Sequence, residues 1–123
     1  MSPASLLPIV IGAAFGAGIR WFFGLYFARI ATSFAFGTLA ANWIGALLIG
    51  IFAELVQHPQ WKLLLITGFL GSLTTFSGFS LEMVQLMQAQ RWGAAFGAAA
   101  LHVFGSFALT ALGIWLAQMF KAV

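Results

Sequence analysis

The residues able to do chemistry are concentrated in one stretch, Gly68 to Glu82, which reads GFLGSLTTFSGFSLE. It sets Thr74 beside Thr75, carries Ser72, Ser77, Ser80 and three glycines, and ends on the carboxylate of Glu82. Phe76 and Phe79 are three residues apart and share a helical face, with Ser77 and Ser80 as a parallel pair beside them. Together these side chains offer hydroxyl donors and the positive edges of two aromatic rings. Two ring edges can replace part of the hydration of a small anion. The plainer reading makes both phenylalanines core or lipid-facing.

A second set lies outside this stretch. Asn42 is the one amide deep in its segment, GTLAANWIGALLIG (Gly37 to Gly50), with Thr38 one turn before it. In hydrocarbon an unmet amide is costly, so Asn42 is either a donor facing a polar path or a hydrogen bond holding two helices together. His102, Ser106 and Thr110 are four apart and form one polar stripe. Such a stripe marks a pathway, or its hydroxyls bond their own backbone. His102 has no carboxylate near it in sequence and is assigned a structural place. Arg20 sits about two turns inside an apolar segment, where it must snorkel, pair or line a watery vestibule. With only Glu54 and Glu82 as acids, that arginine suits attraction of anions.

Covalent chemistry has little to stand on. The chain has no cysteine and no aspartate, which removes disulfides, thiolate metal sites and cysteine nucleophiles. It has no phosphate-binding loop, no HExxH and no GxGxxG. An enzyme is not expected.

The elements that must hold these residues follow from composition. Of 123 residues, 63% are hydrophobic and 6% charged, and mean hydropathy is +1.05. A soluble domain carries roughly 25% charged residues, so this chain cannot cover a water-facing surface. The net charge of +3 is dispersed, which gives no footprint for nucleic acid. Crossing a bilayer takes about 20 apolar residues. Four segments qualify: Leu6 to Ala28, Phe34 to Val56, Trp61 to Met87 and Trp92 to Phe120. The expected fold is therefore all-α: one four-helix membrane domain with its short loops at Gln57 to Gln60 and Gln88 to Arg91. MSPASLLP has no positive region, so a cleaved signal peptide is not expected. The third segment holds the glycine- and hydroxyl-rich stretch, and an interrupted helix survives in lipid only where its backbone is buried in protein, lines water or holds an ion.

Loop charges leave orientation open. Lys62 and Lys121 fall on the side of the termini, and Arg29 and Arg91 fall opposite, with Arg20 nearer the latter. So even a count is either noise in a small chain or the mark of insertion in both orientations. Four helices enclose no pore of their own, and no inverted repeat is visible in the chain. An antiparallel homodimer would supply the inversion through its two-fold axis. Gly12 with Gly16, Ala41 with Gly45 and Gly93 with Gly97 have the spacing of close helix contacts.

The blocks GAGIRW (Gly16 to Trp21), GTLAANWIGALLIG, GFLGSLTTFSGFSLE and GSFALTAL (Gly105 to Leu112) resemble the bacterial fluoride channel family, Fluc or CrcB, across nearly the whole chain. The resemblance implies a dual-topology antiparallel homodimer in the bacterial plasma membrane, with a third helix broken at the membrane centre and two pores that pass fluoride out of the cell. Carried onto this chain, it implies a structural Na⁺ on the backbone carbonyls of Gly71 and Thr74 from both copies. It lines each pore with Phe76 and Phe79, puts Asn42 at the pore mouth and Arg20 in the vestibule, and runs a hydroxyl track through Ser77, Ser80, Ser106 and Thr110 to Glu82. Thr75 belongs to the same motif. Gly78 stands where the family often has threonine, and Ser72 where a second glycine is frequent; neither removes an implied ligand. No nucleic acid or soluble protein partner is implied beyond lipid, fluoride and a second copy.

Two other readings remain. A proton-coupled drug exporter of four helices needs a carboxylate in its first helix, where this chain has Arg20. A non-transporting scaffold packed through its glycines predicts no flux and no effect of changing Asn42.

Overall fold

A computed structural model describes residues 2–30 and 34–122. Every regular element among them is helical. Four helices are long and apolar enough to cross a membrane: Pro3–Ala28, Phe36–Leu55, Pro59–Gln88 and Trp92–Ala122. These are called the first to fourth spans. The protein is a multi-pass membrane protein. Its many exposed large apolar side chains, among them Phe15, Phe96, Phe104 and Phe107, have a membrane or another chain to face rather than water.

The ends of the spans differ from the sequence expectation where capping decides them. Pro59 and Gln60, expected in a loop, open the third span. His58 is extended, its ring Nδ1 accepts from the Gln60 N–H at 3.2 Å, and Pro59 supplies a preset φ at the first position. The turn into the fourth span closes on Gln90, whose φ of 61° is left-handed. This lets the N–H groups of Gln90 and Arg91 reach back to the carbonyls of Met87 and Leu86. At its far end the fourth span continues to Ala122, where Lys121 meets the Glu54 carboxylate at 3.4 Å.

Two close helix contacts set the frame. The second span lies along the fourth, and the first lies along the early part of the third. Between the second and fourth, Gly50 and Gly113 face each other so closely that a Cβ on either would strike the other helix's backbone. Between the first and third, Gly12 and Gly16 do the same against the backbone of Leu64 and Phe69. A Cβ at Gly93 or Gly97 would meet nothing within 4 Å among the described residues of the single chain.

The third span is not uniform. Pro59–Lys62 is α-helical, Leu63–Leu70 is a π-helix, and Gly71–Leu73 returns to α. Helical geometry then stops for two residues and resumes over Phe76–Gln88. A π stretch one residue wider per turn is uncommon and marks functional sites. Here it lies against Gly12 and Gly16, and Ser72 just beyond it donates from Oγ to the Ala13 carbonyl at 2.8 Å. Ala41, Leu70 and Leu73 form the buried core, with Ile19, Phe23 and Phe52 packed around it. The interruption therefore starts from a firmly held shelf.

Candidate functional site

Thr74 and Thr75 carry the interruption. Thr74 has ψ 154° and Thr75 has φ −148°, ψ 116°, both extended. Extended backbone inside a span strands its peptide groups, and a stranded group in hydrocarbon costs several kcal/mol, on the order of 2–7. Asn42 of the second span resolves this. Its Oδ1 accepts from the Thr75 N–H at 2.7 Å, and its Nδ2 donates to the Thr75 carbonyl at 3.1 Å. Thr75 then starts the second half of the span, its Oγ1 accepting from the Gly78 N–H at 2.9 Å as an N-cap. Gly45, one turn past Asn42, leaves the space that the Thr74 methyl fills.

The same arrangement frees two carbonyls. In a continuous helix the Thr75 N–H would return to the Gly71 carbonyl; here it goes to Asn42. The extended ψ of Thr74 takes its own carbonyl out of the helical repeat. Gly71 and Thr74 both line a groove of about 640 Å³. Hard carbonyl oxygens without a helical partner are a fitting donor set for a small monovalent cation.

That groove also collects most of the residues singled out from the sequence. Asn42, Phe76, Phe79, Ser106 and Thr110 line it, and so does His102. Phe76 and Phe79 meet at 5.6 Å with their planes at 66°, edge to face. Phe76 is 79% exposed in the single chain. Among the described residues, no lysine, arginine, aspartate or glutamate lines the groove.

Other expected residues lie elsewhere or are already engaged. Thr110 donates its only proton to the Ala46 carbonyl at 2.8 Å. Ser77 bonds Thr75 between hydroxyls at 3.2 Å, and Ser80 is exposed; neither lines the groove. Glu82 stands against Thr38 in a separate cavity of about 400 Å³ that Arg91 also lines. Arg20 is exposed, and its Nε donates to the Ser72 carbonyl at 3.0 Å, so it braces the end of the helical shelf before the interruption.

His102, given a structural place from the sequence, lies at the centre of the groove. It is 5% exposed, its ring lies 4.5 Å from that of Phe79, and its Nδ1 is 3.4 Å from Asn42 Nδ2. The four-residue spacing of His102, Ser106 and Thr110 carried the signal; what faced the stripe did not.

Residues 7–114 match the family described as CrcB-like protein, Camphor Resistance (CrcB). The chain belongs to the CrcB family. A relative named fluoride-specific ion channel FluC, from Neisseria meningitidis serogroup C (strain 053442), is 57% identical over 118 residues, covering 96% of this chain and 98% of its own. A protein of the same name from Haemophilus influenzae (strain PittGG) is 51% identical over 117 residues, covering 91% of each chain. The CrcB match reaches into all four spans and takes in every residue discussed above from Arg20 to Thr110. CrcB proteins of this kind are ion channels and not enzymes.

Proposed function

We propose that this protein is a fluoride channel that lets F⁻ leave the cell passively, working as an antiparallel dimer with two pores. The observation that carries this reading is the groove beside the interrupted span: it combines a serine hydroxyl with two aromatic rings, next to the amide that holds the backbone open, and among the described residues it is lined by no lysine, arginine, aspartate or glutamate. Fluoride is small and strongly hydrated, so its path must offer many donors, each weak enough to let go. A lysine or arginine in the groove would hold the ion; polar side chains and ring edges share it. The names of the bacterial relatives support the choice of fluoride.

In this reading Phe76 and Phe79 narrow the path against larger anions, and Ser106 hands the ion along it. Asn42 gives the mouth its polarity and holds the interruption open. Arg20 raises the local anion concentration, since among the described residues only its Nε is engaged. Thr110 stands beside Ser106 in the groove, and Ser77, Ser80 and Glu82 extend the track beyond it. The carbonyls of Gly71 and Thr74 hold a structural Na⁺ together with the same pair from a second copy, where the ion neutralises dipoles that no helix satisfies.

Purified protein in liposomes loaded with potassium fluoride or potassium chloride, with valinomycin balancing charge, tests the reading. Fast fluoride efflux with little chloride efflux is expected. No fluoride efflux from folded protein would leave the scaffold as the better account.

A further inference from the structure

The His102 side chain has one polar contact among the described residues, and that contact is with Asn42. Its Nδ1 lies 3.4 Å from Asn42 Nδ2. Its Nε2 is buried and has no hydrogen-bond partner among those residues. The rest of the ring is held by stacking, 4.5 Å from Phe79. Nothing else polar therefore decides how the imidazole carries its proton.

The direction of the contact follows from the backbone. A peptide N–H can only donate, so the Asn42 atom 2.7 Å from the Thr75 nitrogen is the amide oxygen. The other amide atom is then the NH₂ group. One of its hydrogens goes to the Thr75 carbonyl at 3.1 Å, and the second is free for His102. An NH₂ group cannot accept from a second N–H, so Nδ1 must be the unprotonated, accepting nitrogen. The neutral ring thus carries its proton on Nε2. The other tautomer, or a ring protonated on both nitrogens, would set N–H against NH₂ and push Asn42 off Thr75.

We propose that His102, neutral and protonated on Nε2, is the positioning residue for the interrupted third span: it accepts from Asn42 and thereby keeps that amide on both hydrogen-bonding groups of Thr75. It acts through Asn42 rather than on the permeating ion, and its effect on flux rests on the fluoride reading above. The groove around it contains no other titratable side chain. The ionisable groups of the neighbouring spans, Arg20, Tyr26, Glu54, Lys62 and Glu82, do not line it, so no ion pair competes for the ring.

The test has two arms. In the first, ¹⁵N NMR of histidine-labelled protein reads the tautomer. The chain has two histidines, and a His58→Ala variant separates the signals. An unprotonated Nδ1 with a protonated Nε2 is expected at His102, and Asn42→Ala should move the Nδ1 signal. A proton on Nδ1, or an Nδ1 signal indifferent to Asn42, overturns the proposal. In the second, His102→Phe keeps a ring on Phe79 but removes the acceptor, and His102→Asn returns an acceptor near the Nδ1 position. Fluoride efflux should fall about tenfold in the first and recover most of that loss in the second. Undiminished flux in His102→Phe, or no recovery in a folded His102→Asn, counts against it. If His102→Phe does not fold, the tautomer measurement and His102→Asn still decide. Absence of flux from the unchanged protein strikes the fluoride reading alone and leaves the NMR arm to judge His102.

Discussion

Asn42 and Thr75, thirty-three residues apart, are joined as one peptide group is joined to another in a sheet. The amide oxygen of Asn42 takes the Thr75 N–H at 2.7 Å, and its nitrogen gives a hydrogen to the Thr75 carbonyl at 3.1 Å. A side chain has replaced the strand that extended backbone normally requires. The same amide also reaches His102, so both its donors and its acceptor are engaged at the site.

Asn42→Ala should leave a buried N–H and a buried carbonyl unmet at Thr75. Each such group costs about 1–3 kcal/mol, so the variant should unfold at lower temperature in detergent and lose most fluoride efflux. Asn42→Asp can still accept from Thr75 but cannot donate to its carbonyl. It should also place a negative charge on an anion path, and abolish efflux at neutral pH. Full efflux in Asn42→Asp would argue against an anion path at this groove.

Phe76→Ala and Phe79→Ala should separate ring chemistry from packing. Phe76 is largely exposed in the single chain, so its loss should leave the single-chain fold nearly intact while fluoride efflux falls. Phe79 also supports His102, and its loss should lower both efflux and stability. Unchanged flux and selectivity in both variants would remove the ring-edge account.

Ser106 and Thr110 share a stripe and a groove but should behave differently. The Thr110 proton is committed to the Ala46 carbonyl at 2.8 Å, so Thr110→Val should lower stability by about 1 kcal/mol with little effect on efflux. Ser106→Ala should do the reverse. Thermal unfolding and liposome efflux on the same preparations make the comparison.

Gly16→Ala should be costly and Gly97→Ala should not. A Cβ at Gly16 strikes the Phe69 carbonyl and the Ser72 hydroxyl, whereas at Gly97 it meets nothing among the described residues of the single chain. Overpacking costs about 1–3 kcal/mol, which should appear as a lower yield of folded Gly16→Ala protein. A Gly97→Ala variant that folds but fails to dimerise would assign that face to the second copy.

Replacing Na⁺ by a large organic cation throughout purification and assay should lower fluoride efflux, and restoring Na⁺ should return it. Indifference to Na⁺ would leave the Gly71 and Thr74 carbonyls to water or to another partner.

Much of this was legible in the chain because it depends on quantities that add along it. Length and hydropathy determined four membrane spans, since about 20 apolar residues are needed per crossing whatever their neighbours. The local conflict in GFLGSLTTFSGFSLE, with helix-weakening glycines and hydroxyls inside an apolar run, marked the site, because backbone preferences act over a few residues. Tertiary structure decided what those preferences could not. Whether a side chain is a free donor depends on what stands opposite it, and that is a property of packing between distant residues. Asn42 meets Thr75, Thr110 meets Ala46, and Arg20 meets Ser72. The π stretch at Leu63–Leu70 lies against glycines of another span. His102 gained its place for the same reason: only the packed fourth span brings its ring to Asn42, with one nitrogen engaged and the other without a partner among the described residues.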